Sequence, residues 1–129
     1  MVLLDTTVLI DVLRERPAAV DRLRAVFEQG PPPFVCAVNV EEVWRGARPR
    51  EADAVSELFA GLRVAPLAAQ EGMRAGNWRR EFSSRGVTLE QADCLIAAAA
   101  GGVGARLATG NPKDFPMPGV EIEHWPTGE

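Results

Sequence analysis

Tyrosine is absent from this 129-residue chain, and histidine and lysine occur once each, as His124 and Lys113. No apolar run approaches the ~20 residues of a membrane span, and no basic leader precedes Asp5, so the sequence reads as a soluble, cytoplasmic protein. The two cysteines, Cys36 and Cys94, stand apart in apolar surroundings. That excludes a disulfide framework and predicts two buried thiols in a reducing compartment. The phosphate-binding loops G-x-x-x-x-G-K-[ST] and G-x-G-x-x-G are missing, and so is the G-x-S-x-G elbow. His124 lies near the C-terminus beside Trp125, where packing or surface roles suit it, so Ser-His and Cys-His catalysis are poor candidates. Positive charge is also in deficit: 18 acids face 14 bases, for a net charge of −4. The field of the whole molecule therefore does not attract nucleic acid.

Composition is otherwise that of an ordinary globular chain, 47% apolar and 25% charged, which excludes a disordered, collagen-like or coiled-coil chain. The length fits one domain over residues 1–129, large enough to fold without a metal or disulfide staple. Val2-Leu3-Leu4 reads as a short buried strand. Thr6 and Thr7 offer N-cap hydroxyls to a helix carrying Val8, Leu9, Val12 and Leu13. Pro17 opens a second helix with the stripe Val20, Leu23, Val26 and Phe27, closed by Gly30. Phe34–Val38 reads as a second buried strand, after which Asn39 caps a short helix ending near Gly46. Further helices are expected over residues 50–60, over 68–84 with Met73, Trp78 and Phe82 inward, and over Leu89–Ala100 behind a Thr88/Gln91 capping box. Val64–Leu67, Leu107–Thr109 and Val120–Ile122 are the remaining strand candidates, the last at an edge. Strands alternating with helices predict an α/β fold with a mostly parallel sheet covered on both faces.

Four carboxylates stand where such a fold can least accommodate them. Asp93 has Leu89, Ile96 and Ala97 as its helical neighbours, and Cys94–Ala100 is apolar all round. A carboxylate there costs several kcal/mol unless paired, hydrogen-bonded or bound to a cation. Asp5 follows a strand directly, at the edge where open α/β sheets bind ligands; its alternative is helping the threonines cap a helix. Glu42 is either the partner of Asn39 in a capping box or a third acid at that edge, while neighbouring Glu41 is read as solvated. Asp114, in Thr109-Gly-Asn-Pro-Lys-Asp-Phe115, is either a turn residue or a fourth. Carboxylates brought together raise one another's pKa unless a cation is present. Oxygen donors without His or Cys suit Mg²⁺ or Mn²⁺.

Four segments, in order, resemble the motifs of the PIN-domain family, specifically its VapC-type ribonuclease toxins. Val2-Leu-Leu-Asp-Thr-Thr-Val-Leu-Ile-Asp11 resembles the opening motif, with its acid on Asp5. Val38-Asn-Val-Glu-Glu-Val-Trp-Arg-Gly46 resembles the second, with its acid on Glu42 and with Asn39 in place of Ser or Thr. Ala92-Asp-Cys-Leu-Ile-Ala-Ala98 resembles the third, with its acid on Asp93. The closing T-x-N-x-x-D-F falls on Thr109, Asn111 and Asp114; Asn111 stands where some members have Asp, which leaves Asp114 either a ligand through water or a tether of the loop.

The resemblance implies a three-layer α/β/α sandwich and an endoribonuclease toxin that needs Mg²⁺, with Mn²⁺ as a substitute. It implies Asp5 and Asp93 as principal metal ligands, Glu42 and Asp114 as direct or water-mediated ones, and Thr6, Asn39, Thr109 and Asn111 in support. It further implies an RNA substrate, a homodimer and a VapB-like antitoxin. Trp44, Leu13 and Phe27 are read first as core residues and second as part of the antitoxin surface. Local arginines must offset the acidic site for RNA to approach; the candidates are Arg14, Arg16, Arg45, Arg48, Arg79, Arg80 and Arg85. A phosphoacceptor receiver domain fits less well, because Asp53 falls in a helix and Lys113 follows Pro112. A haloacid-dehalogenase phosphatase needs D-x-D after the first strand, and position 7 is Thr. The remaining alternative is a PIN-fold protein that binds RNA or a partner without cutting.

Overall fold

The computed structural model describes all residues from Met1 to Glu129. Five parallel strands form one sheet: β1 (Val2–Leu4), β2 (Phe34–Val35), β3 (Arg63–Val64), β4 (Arg106–Thr109) and β5 (Ile122–His124), in the spatial order β3-β2-β1-β4-β5. The helices are α1 (Thr6–Leu13), α2 (Pro17–Gln29), α3 (Ala37–Gly46), α4 (Ala52–Ala60), α5 (Ala69–Ser84) and α6 (Gln91–Gly102). Chain order runs outward from β1 to β2 and β3, then returns to β4 on the other side of β1. The topological switch therefore lies between β1 and β4, whose registers pair Leu4 with Ala108.

Because successive strand residues point to opposite faces, β1 supplies both cores. Leu3 joins Trp78, Phe82, Ile96, Ala97 and Leu107 in the layer under α5 and α6. Val2 and Leu4 join Leu9, Leu23, Val35, Val43 and Val55 in the layer under α1 to α4. The result is the expected α/β/α sandwich. Helix α6 is its most enclosed helix, with Cys94 and Ile96 through Ala100 all buried. Its run of alanines suits a helix held between the sheet and α5, where larger side chains would not fit. Both cysteines are free and buried, as expected.

Several boundaries depart from the sequence reading. Strand β2 has two residues, and α3 begins at Ala37, so Asn39 lies inside the first turn instead of capping it. Its Oδ1 accepts the Cys36 backbone N–H at 2.9 Å, reaching back to the N-cap residue. Asp5, not Thr6 or Thr7, holds the N-cap position of α1. Helix α6 starts at Gln91 behind Glu90, so Thr88 and Gln91 form no capping box. The C-terminal edge strand sits two residues later than expected, at Ile122–His124. Met73 is 64% exposed while Ala75 is buried. At about 100° per residue, position 73 falls well off the face shared by Trp78 and Phe82. Trp44 and Phe27 are exposed at 49% and 41%, so neither is a core residue; Leu13 packs partly buried against the second core.

Enlarging Ala97, which is fully buried, is expected to cost about 1–3 kcal/mol on Ala97→Leu through overpacking of α6 against the sheet. Met73→Ala should stay within about 0.5 kcal/mol of wild type. Urea unfolding of the two variants measures both.

Candidate metal centre at the sheet edge

The switch point brings the carboxyl ends of β1 and β4 side by side. Asp5, next after β1, is 5% exposed, and Thr109, the last residue of β4, is fully buried. Thr109 Oγ1 donates to Asp5 Oδ2 at 2.7 Å, and Thr7 Oγ1 donates to the same oxygen at 3.1 Å. Burial pushes the Asp5 carboxyl above its ordinary range; the two threonine hydrogen bonds oppose this and the nearby Glu42 charge adds to it. Both hydroxyls also accept from the following loop: Thr7 Oγ1 from Gly110 N at 3.0 Å and Thr109 Oγ1 from Asn111 N at 3.0 Å. One carboxylate orientation and one loop conformation are thus tied together.

Glu42 extends from α3 toward α1, where Thr6 Oγ1 donates to its Oε1 at 2.7 Å. Asn39 Nδ2 donates in turn to Thr6 Oγ1 at 3.2 Å. The capping-box reading of Glu42 fails, because Asn39 is no N-cap and the carboxylate is engaged by α1. Glu41 points outward and pairs with Arg45 at 3.0 Å. Asp114 is exposed, in a single 3-10 turn over Pro112–Asp114, and accepts from Asn111 Nδ2 at 2.7 Å.

Asp93 occupies the first turn of α6 and is half-buried, with Leu89, Ile96 and Ala97 buried around it in the chain. Its pKa is pushed up to about 7, first by burial and then by the charges of Asp114, Asp5, Glu42 and Glu90. Asp93 thus lies within electrostatic reach of the other three predicted acids. None of the four forms an ion pair with any Arg or Lys. No three acidic, His or Cys side chains stand close enough together to hold a metal ion as a group. An open all-oxygen set of this kind fits a cation such as Mg²⁺, which keeps several waters and takes only one or two carboxylates directly. The donor chemistry and the unneutralised charge both fit that group.

Two supports are not evident from the sequence. Thr7 reads there only as a helix cap; the available signal is its position two residues after Asp5, from which a hydroxyl can reach back to the carboxylate. Gly110 is the other. A Cβ there would run into Thr127 Cγ2 and lie 3.1 Å from the Trp125 carbonyl oxygen. The C-terminal tail therefore braces the Thr109–Asp114 loop, a contact no local motif announces.

The family model of the PIN domain matches residues 2–116. Ribonuclease VapC10 of Mycobacterium tuberculosis is 36% identical over 117 residues, covering 91% of this chain and 87% of that relative. Ribonuclease VapC19 of the same organism is 33% identical over 118 residues, covering 91% and 94%. Among solved structures, DNA-bound VapBC from Salmonella typhimurium superposes with a TM-score of 0.84 at 24% identity, over 96% of this chain and 97% of that one.

The raised pKa of Asp93 has a consequence for stability in the absence of divalent cations. As pH rises from about 4 to about 7, the unfolded chain gives up this proton while the folded chain retains it, so stability falls through that window and levels off above it. Asp93→Asn removes the repulsion without leaving a cavity and should flatten the profile, leaving the variant more stable than wild type near pH 8. Urea unfolding in EDTA across that range checks this; a wild-type stability that climbs with pH would contradict it.

Proposed function

The chain belongs to the PIN domain family, and from that premise we propose that it is a divalent-metal-dependent endoribonuclease, the toxin of a VapBC-type toxin–antitoxin pair. The observation that carries the reading is that Asp93 lies within reach of the charges of Asp5, Glu42 and Asp114, with no cationic side chain paired to any of the four. Relatives named as ribonucleases match over most of the chain, which supports RNA as substrate. The likeness to VapBC assemblies supports a VapB-like partner. A homodimer and a cytoplasmic location complete the proposal. No helix is long and apolar enough to cross a membrane.

Asp5 and Asp93 are the principal ligands, with Glu42 and Asp114 binding directly or through water. When bound, Mg²⁺, or Mn²⁺ in its place, supplies positive charge that lowers the pKa of a water and offsets charge developing on the phosphate. Thr109 and Thr7 hold the Asp5 carboxylate in one orientation. Thr6, itself held by Asn39, does the same for Glu42. Asn111 ties Asp114 on its exposed turn by a side-chain hydrogen bond. Water as nucleophile, in place of the ribose 2′-OH, leaves a 5′-phosphate and a 3′-hydroxyl.

The purified chain should cleave RNA, and EDTA should abolish cleavage. Asp93→Asn should lower the rate by about 100-fold or more, beyond the usual cost of disturbing an outer-shell partner. Glu42→Gln retains an oxygen for the Thr6 hydroxyl but loses the charge, so folding should hold while activity falls. A folded protein that binds RNA without cutting it, whatever the metal, would replace this reading with that of a non-cutting binder.

A further inference from the structure

RNA must reach an acidic site on an acidic protein, so cationic side chains have to lie beside that site without being neutralised by neighbours. Several of the candidate arginines are already neutralised. Arg45 pairs with Glu41 at 3.0 Å, Arg48 with Glu51 at 3.1 Å and Arg85 with Glu81 at 3.8 Å. Four clefts hold an arginine together with a glutamate: Arg14 with Glu42 and Glu51, Arg74 with Glu121, Arg106 with Glu121 and Glu123, and Arg22 with Glu123.

One cleft differs. It has a volume of about 290 Å³ and is lined by Arg79, Arg80 and Ser83 of α5 and by Thr88 and Leu89 of the loop entering α6, with no carboxylate among them. Neither arginine forms an ion pair; Arg80 is steadied by a 2.6 Å hydrogen bond to Asn77, a neutral partner that leaves its charge intact. Leu89, which lines the cleft, stands four residues before Asp93 in the chain, and α5 packs along α6.

We propose that this cleft is a phosphate subsite for the substrate, in which Arg79 and Arg80, with the Ser83 and Thr88 hydroxyls, seat a backbone phosphate of single-stranded RNA flanking the bond at Asp93. The inference rests on the ribonuclease reading and adds to it the direction from which the strand enters, along the α5–α6 side. Planar guanidinium groups suit bidentate phosphate contact, and two of them adjacent in sequence but unpaired give the local positive field the molecule as a whole lacks. These are positioning residues: they bind substrate away from the reacting atoms.

The test uses a fluorescein-labelled single-stranded RNA oligonucleotide of mixed sequence, bound in the Asp93→Asn background and cleaved in the wild-type background. Replacing both arginines by glutamine, with folding checked by circular dichroism, should raise Kd about tenfold or more. The slope of log Kd against log salt should flatten by about 0.7 for each phosphate that is no longer neutralised. In cleavage, KM should rise while kcat at saturating RNA changes little. Arg79→Lys with Arg80→Lys should recover part of the affinity, since the charge remains. Arg24→Gln, on α2 and paired with Asp21, should leave Kd and slope unchanged. An unaltered Kd and slope in the glutamine pair, or an equal loss in Arg24→Gln, would overturn the proposal. Normal RNA binding combined with lost retention of a poly-glutamate peptide would also overturn it, assigning the cleft to an acidic protein segment. If wild type cleaves RNA and the glutamine pair matches it, the subsite alone fails. If wild type does not cleave and Asp93→Asn binds no oligonucleotide, the ribonuclease reading fails and the subsite with it.

Discussion

Repulsion among Asp5, Glu42, Asp93 and Asp114 is the constraint around which the rest of this sheet edge is built. Two of these acids, Asp5 and Asp93, sit where burial alone already raises their pKa, and each feels the negative charge of others. A protein selected for stability alone would place an arginine among them, or replace them with apolar residues of similar size. Thirteen arginines are present, and none is used in this way. The cost is accepted locally and offset by two buried cores on either face of the sheet, a trade common at functional sites.

Neutral hydrogen-bond donors take the place that counter-ions would otherwise have. Thr109 and Thr7 converge on one oxygen of Asp5, and Asn39 steadies Thr6, which holds Glu42. A hydroxyl or amide orients a carboxylate without neutralising it, so negative charge remains available to a cation. The same threonines that hold Asp5 accept backbone N–H groups of Gly110 and Asn111, coupling the acid of the first strand to the loop after the fourth. The tail residues Trp125 and Thr127 close over Gly110, which links the C-terminus to the geometry of the site. In the proposed subsite, substrate charge is met elsewhere, by Arg79 and Arg80 on α5.

The parts of this arrangement that are legible in the sequence are those written in local contrast. Asp5 ends an apolar strand and Asp93 interrupts an apolar helix, and in both cases a charged residue at a buried position points to the site before any geometry is known. The run Phe34–Val38 is ambiguous because a short apolar segment has no period to distinguish strand from helix; its first two residues form β2 and its last two enter α3. Met73 is misplaced by its sequence pattern because a polar helix carries too few apolar residues to define its face. Thr88 and Gln91 match a capping-box spacing that the tertiary structure does not use, since Glu90 precedes the helix directly. Thr7 and Gly110 owe their roles to contacts with residues distant in the chain, as in the 103-residue separation of the Thr7–Gly110 hydrogen bond and the packing of Gly110 against the tail. Such contacts leave little trace in a single sequence.

If the unneutralised carboxylates exist to hold a cation, that cation should stabilise the fold by mass action. The most direct measurement is the melting temperature near pH 8 with and without millimolar Mn²⁺, in wild type and in Asp93→Asn. The account predicts a clear rise for wild type, larger with Mn²⁺ than with Mg²⁺ because of its place in the affinity order, and a much smaller rise for Asp93→Asn. A wild-type melting temperature that does not move with Mn²⁺, in a protein shown to be folded, would contradict it.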